Sequence, residues 1–125
     1  MGKMYLLSTG YIPVLLEKWK KIVVVQRIVS PSEAKGLLSN GFISAVGHQS
    51  TAEIMSAVLG ILVPYSRVQV FLEPGDEAVC FILKARPPEG RVLSKEELES
   101  IGYYFIHAKV LEQELVHELA AQGIC

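Results

Sequence analysis

Aspartate is almost missing from this chain. Of 125 residues only Asp76 is one, and it falls in the turn-forming stretch Glu73-Pro74-Gly75-Asp76-Glu77. Metal-dependent nuclease chemistry needs several carboxylates converging on divalent ions, and no Asp-x-Asp, His-x-His, His-Glu-x-x-His or P-loop spacing occurs. No metal and no cofactor is expected. Cysteine is nearly as scarce: Cys80 inside an apolar run and Cys125 at the end make neither a disulfide framework nor a four-cysteine metal site, which fits a reducing interior. Long hydrophobic runs are also missing. Ile54 to Val63 is interrupted by Ser56 and Gly60 and is too short to span a bilayer. Met1-Gly2-Lys3-Met4-Tyr5-Leu6 lacks both the apolar segment of a signal peptide and the Ser or Thr of a myristoylation motif at its sixth residue. A cytoplasmic protein with no membrane role is expected. Neither sign of charge dominates: a net charge of -1 and a pI near 6.3 argue against a dedicated binder of long DNA or RNA. A small anion held in a local basic pocket remains open.

Half the residues are hydrophobic, enough for one compact domain spanning the whole chain. Met4 to Leu7 and Ile22 to Val29 read as strands, the second rich in β-branched residues, with Ile12 to Lys20 able to form a turn or two of helix between them. Ser30-Pro31-Ser32-Glu33 combines an N-cap, a proline at the first helical position and a glutamate at the third, starting a helix that ends near Asn40-Gly41. Phe42 to Val46 is a short apolar lead into Gly47-His48. Ser50 followed by Glu53 forms a second capping-box pattern, before a helical run of Ile54, Met55, Val58 and Leu59 that Gly60 closes. Val68 to Leu72 and Ala78 to Lys84, separated by the proline-glycine turn, predict a β-hairpin. Ser94-Lys95-Glu96-Glu97 opens another helix ending at Gly102, before a last strand, Tyr103 to Val110. Leu111, Leu115, Val116 and Leu119 then share one face of a C-terminal helical extension over 111–125. The expected fold is α/β: a single compact domain with a mixed sheet of about five strands flanked by helices.

The chemistry concentrates at Gly47-His48-Gln49-Ser50-Thr51. The first N–H groups of a helix have no intrahelical partner and the macrodipole adds partial positive charge, so an anion is favoured beside Ser50 and Thr51. His48 sits just outside that mouth, where a bound phosphodiester would favour its imidazolium form. A histidine hydrogen-bonded into a loop is the plainer reading of the same residues. A second candidate is Lys84-Ala85-Arg86-Pro87-Pro88-Glu89-Gly90-Arg91. Its prolines restrict the loop, the Arg86 guanidinium can donate two parallel bonds to a phosphate, and Glu89 can orient Arg86 or contact a ribose hydroxyl. A surface ion pair explains those two residues equally well. Ser8, Thr9 and Arg67 are weaker additions, the first two because ligand loops of α/β sheets lie at strand ends. His107 and His117 read as structural or exposed.

Ala45-Val46-Gly47-His48-Gln49-Ser50-Thr51, Arg67-Val68-Gln69-Val70 and Arg86-Pro87-Pro88-Glu89-Gly90, in this order and spacing, closely resemble the viral ring nucleases of archaeal viruses. These are anti-CRISPR proteins that oppose type III immunity. The resemblance runs from about Met4 to Val110, and it implies a homodimer that binds cyclic tetra-adenylate across its two-fold axis and cuts it without metal. It further implies that a ribose 2′-hydroxyl attacks the adjacent phosphate, leaving a 2′,3′-cyclic phosphate on linear di-adenylate. In that scheme His48 is the general acid, Arg86 stabilises the phosphate or transition state, and Glu89 positions the ribose or His48. Ser8, Thr9, Gly47, Gln49, Ser50, Thr51 and Arg67 would hold the substrate. Two positions depart from the family pattern: Ser8 stands where asparagine is usual, and Ala85 near a position where glutamine is frequent. The competing readings are a non-catalytic binder of cyclic oligonucleotide or nucleic acid, and an interaction protein that works through its terminal helix.

Overall fold

The structure, a computed structural model, describes residues 2–14, 22–84 and 95–112. Five strands form one mixed sheet: β1 (Met4–Leu7), β2 (Ile22–Val29), β3 (Ile43–Ser44), β4 (Glu77–Leu83) and β5 (Tyr103–Glu112), in the order β2-β5-β4-β1-β3. β1 runs parallel to both β3 and β4, while β5 is antiparallel to β4 and β2. Three helices accompany it: α1 (Pro31–Leu38), α2 (Gln49–Leu59) and α3 (Lys95–Ile101). The chain is thus a single compact α/β domain with a five-stranded mixed sheet, as its pattern predicts.

Alternation along the strands divides the core in two. On one face Leu6, Val79, Phe81, Phe105 and Val29 pack with Ala34 and Leu38 of α1 and Ile54, Met55 and Leu59 of α2. On the other, Tyr5, Leu7, Ala78, Cys80, Ala108 and Val110 gather around Leu72. β4 contributes to both, which is why its sequence is an almost unbroken apolar run. Burial pushes the Cys80 thiol up to about 12, so it serves as a small core hydrophobe. β2 lies at the sheet's edge, paired only with β5, and its middle residues Gln26 and Arg27 are exposed.

α1 starts where its capping box predicts. The Glu33 N–H donates to Ser30 Oγ at 3.1 Å and the Ser30 N–H donates to Glu33 Oε1 at 3.2 Å, with Pro31 opening the helix.

The expected hairpin does not form. The 73–76 turn is present, with Asp76 N–H donating to Glu73 C=O at 2.9 Å and Gly75 at φ 97°. Residues 68–72, however, form no strand and do not join the sheet. Both edges of β4 are already taken, by β1 and β5, so Val68 to Leu72 has no edge of β4 to pair with. Leu72 instead donates its N–H to the Pro13 carbonyl at 2.8 Å and buries its side chain against the second face. Asp76, which composition alone leaves as a turn residue, is buried and accepts from the N–H groups of Lys3 and Glu73, each at 2.9 Å.

The last strand runs two residues further than its apolar pattern suggests, pairing Leu111 with Val23 and Glu112 with Ile22. Leu111 is therefore a strand residue, and the rest of the expected terminal helix lies outside the described residues, as do His117 and Cys125. Of the helix anticipated over Ile12 to Lys20, residues 12–14 are irregular and the remainder is outside the described set. His107 is structural: it is 4% exposed, with Nε2 at 2.8 Å from Glu77 Oε1.

Candidate functional site

Because β1, β3 and β4 are parallel, their carboxyl ends point the same way. Three segments therefore leave one edge of the sheet: Ser8-Thr9-Gly10 after β1, Ala45 to His48 after β3, and the stretch beginning at Lys84 after β4. Adjacent strands lie about 4.8 Å apart, so the β1 and β3 segments emerge side by side; Leu6 is level with both Ser44 and Val79, and β4 runs on to Leu83, roughly 13 Å further along the strand direction, before its segment leaves. Carboxyl edges of this kind are where α/β sheets place ligands.

The His48 loop is tied down on both sides. Ala45 N–H donates to the Leu6 carbonyl at 3.0 Å, and Ser44 Oγ donates to the Pro64 carbonyl at 2.7 Å. The Ser66 N–H donates to the Val46 carbonyl at 2.9 Å, laying residues 64–67 beside the loop. As a result Arg67 joins the motif: a β-carbon built on Gly47 would lie 3.7 Å from Arg67 Cγ.

α2 begins earlier than the Ser50–Glu53 pattern predicts. The N-cap is His48, in extended conformation (φ -127°, ψ 126°), and its carbonyl accepts from Ala52 N–H at 3.0 Å. Ser50 and Thr51 lie inside the first turn, so the capping box with Ser50 at its head is not made. Glu53 accepts instead from Gln49 Nε2 at 3.4 Å, one helical turn back. The physical reason is that the extended backbone ends at His48, whose carbonyl already accepts the first intrahelical bond. Gly60 closes the helix in the left-handed region, as expected, with φ 69°.

This shift matters for chemistry. A serine cap would consume one of the unpaired N–H groups at the mouth, whereas the His48 side chain makes no capping bond. Among the described residues nothing caps the first-turn donors, and His48, which is exposed, immediately precedes them.

Ser8 is half-buried and Thr9 exposed at the neighbouring strand end. Thr9 Oγ1 accepts from Tyr11 N–H at 3.2 Å, a local turn bond, and Gln26 Nε2 donates from β2 to the Gly10 carbonyl at 3.5 Å. Ser8, Thr9, Gly47, His48, Gln49, Ser50, Thr51 and Arg67 thus share one sheet edge. Arg86 and Glu89 lie outside the described residues; the last described residue before them is Lys84, whose N–H donates to the Gly102 carbonyl at 2.9 Å. Among the described residues no three His, Cys, Asp or Glu side chains are grouped so as to hold a metal ion, and no helix is long and apolar enough to cross a membrane.

Sequence reasoning passes over Tyr65. It lies between the two anchored residues Pro64 and Ser66 yet is 46% exposed. No periodicity marks it, because its neighbours form neither helix nor strand.

Comparison with known proteins gives a consistent set of relatives. A sequence profile described as STIV B116-like matches residues 4–105. The chain is 41% identical over 102 residues to uncharacterized protein 26 of Sulfolobus islandicus filamentous virus (isolate Iceland/Hveragerdi), covering 80% of this chain and 85% of that one. It is 39% identical over 110 residues to uncharacterized protein ORF117 of Acidianus two-tailed virus, covering 85% and 92%. Among solved structures it matches B116 of Sulfolobus turreted icosahedral virus with a TM-score of 0.68 at 26% identity, covering 86% of this chain and 99% of that one.

Proposed function

The chain belongs to the STIV B116-like family, and from that membership together with the sheet-edge geometry we propose that it is a metal-independent ring nuclease. Its substrate is cyclic tetra-adenylate, its products linear di-adenylate bearing a 2′,3′-cyclic phosphate, and its biological effect the silencing of type III CRISPR signalling in the host cytoplasm. One observation carries the reading: an exposed histidine occupies the N-cap of α2 without using its side chain there, beside first-turn donors uncapped among the described residues and close to Arg67.

The chemistry asks little else of the protein. The ribose 2′-oxygen forms a bond to the adjacent phosphorus as the bond from phosphorus to the 5′-oxygen breaks. The 2′-hydroxyl proton passes to solvent, and His48 donates a proton to the departing 5′-oxygen. The N-terminus of α2, with Gln49, Ser50 and Thr51, holds the phosphate, and Gly47 lets it approach the backbone. Arg67 adds positive charge, and Arg86, which follows β4 in the sequence, stabilises charge on the phosphorane. Glu89 positions the ribose or His48, and Ser8 and Thr9 contribute hydroxyls from the β1 end. A two-fold homodimer supplies two such sites to the two halves of one ring.

Incubation of the protein with cyclic tetra-adenylate in EDTA tests this directly. Linear di-adenylate with a cyclic phosphate is expected; a ring that stays intact on prolonged incubation overturns the reading.

A further inference from the structure

We propose that Tyr65 is the nucleobase platform of this site, the surface on which an adenine stacks while its phosphate meets Arg67 and the start of α2. The inference rests on the ring-nuclease reading and adds to it the residue that recognises a base. Three observations carry it.

The first is rigidity. The residues on either side of Tyr65 are both bonded to the segment leading into His48, Pro64 through its carbonyl to Ser44 Oγ (2.7 Å) and Ser66 through its N–H to the Val46 carbonyl (2.9 Å). The backbone of Tyr65 is thereby held against the loop, and its ring has only two torsions to order on binding. The second is vacancy of the ring: Tyr65 is 46% exposed, and among the described residues it has no ring, hydrogen-bond or ion-pair partner.

The third is direction. Along residues 65–72 Tyr65, Arg67, Gln69 and Phe71 are exposed, while Ser66 and Val70 are half-buried and Leu72 is buried; Val68 alone breaks the alternation. This alternating exposure sets Tyr65 and Arg67 on the same side, no more than about 7 Å apart along the chain. An aromatic face and a guanidinium at that spacing suit the base and phosphate of one nucleotide, since every base offers a π-face and each stack contributes to affinity. Of the two, Arg67 is the one whose stem lies against Gly47.

The test uses cyclic tetra-adenylate in which one adenine is replaced by 2-aminopurine, whose fluorescence falls on stacking, with His48→Ala as the parent protein so that the ring stays uncut. Quenching on binding is expected for the parent and for added Tyr65→Phe. Added Tyr65→Leu or Tyr65→Ala is expected to lose the quench and weaken binding at least about 5-fold, with the salt dependence unchanged. Arg67→Ala is expected to keep the quench and flatten the salt dependence. Tyr65→Leu that quenches and binds like the parent overturns the inference. Should Tyr65→Ala unfold by thermal melt, Tyr65→Leu decides the matter. Should wild type neither bind nor cut the unmodified ring, the ring-nuclease reading itself fails and the platform with it, an outcome distinct from intact cleavage that ignores Tyr65.

Discussion

The side chain of Arg67 lies over Gly47, close enough that a β-carbon on the glycine would touch its Cγ at 3.7 Å. That is an ordinary contact, and Gly47 is not in the left-handed region, so the free protein has no steric need for glycine there. Gly47→Ala should keep the melting temperature of wild type. Gly47→Leu should push Arg67 aside, weakening substrate binding about tenfold or more while the fold survives. Calorimetric titration with the uncut ring, beside a thermal melt, separates the two effects.

His48 is exposed and its side chain caps nothing. His48→Ala should therefore leave stability unchanged and lower single-turnover cleavage by about 10²- to 10⁴-fold, the usual worth of a general acid. Binding of the ring should persist. A variant that still cleaves at the wild-type rate would remove His48 from the chemistry.

Asp76 supports the fold at the other end of the strands. Its buried carboxylate accepts two backbone N–H groups, from Lys3 and Glu73, and so ties the start of β1 to the turn before β4. Asp76→Ala strands both donors and should cost about 3 kcal/mol, read by urea denaturation. Asp76→Asn keeps one acceptor oxygen and should cost less. Neither should change the cleavage rate of the folded fraction.

Glu33 gives a stability signal with a defined sign. The Ser30 backbone N–H, then Arg27 and the Ser30 hydroxyl, hold its carboxyl below the ordinary value. A depressed acid contributes stability above its unfolded value, and that contribution disappears as pH falls through the folded one. The melting-temperature gap between wild type and Glu33→Gln should be present at pH 7 and should narrow progressively as the pH is lowered below the ordinary carboxylate range. Because the group is solvent-exposed, the gap should also shrink in high salt.

Local signals were readable and nonlocal ones were not. The Ser30 capping box, the extents of β1 and β2, and the stop at Gly60 follow from residues within a turn of one another, and all stand in the structure. Ser50 and Glu53 carry the same local pattern, but the backbone turns helical just after His48 and leaves Ser50 inside the helix. Val68 to Leu72 looks like a strand by composition; whether it pairs depends on which edges of β4 are free, and that is decided by β1 and β5, far away in sequence. At the site, the motif around His48 was legible because its residues are contiguous. Arg67 could be guessed but not placed, since its contact with Gly47 depends on the bond from Ser66 to Val46. Tyr65 carried no signal at all until its neighbours were seen to be anchored.

The placement of β2 at the sheet edge has a consequence for the order of events during synthesis. Among the described residues its one partner is β5, with Val29 opposite Phe105 and Ile22 opposite Glu112, so an early β-branched strand waits for most of the chain before that pairing can form. A nascent chain that ends before Tyr103 leaves β2 and one side of β4 without their neighbour. Such a chain offers sticky edges to its copies. Gln26 and Arg27, exposed in the middle of β2, break what would otherwise be a continuous apolar ribbon during that wait. Completion of the sheet is therefore a late step set by long-range pairing, and the last strand acts as the clasp that closes the domain.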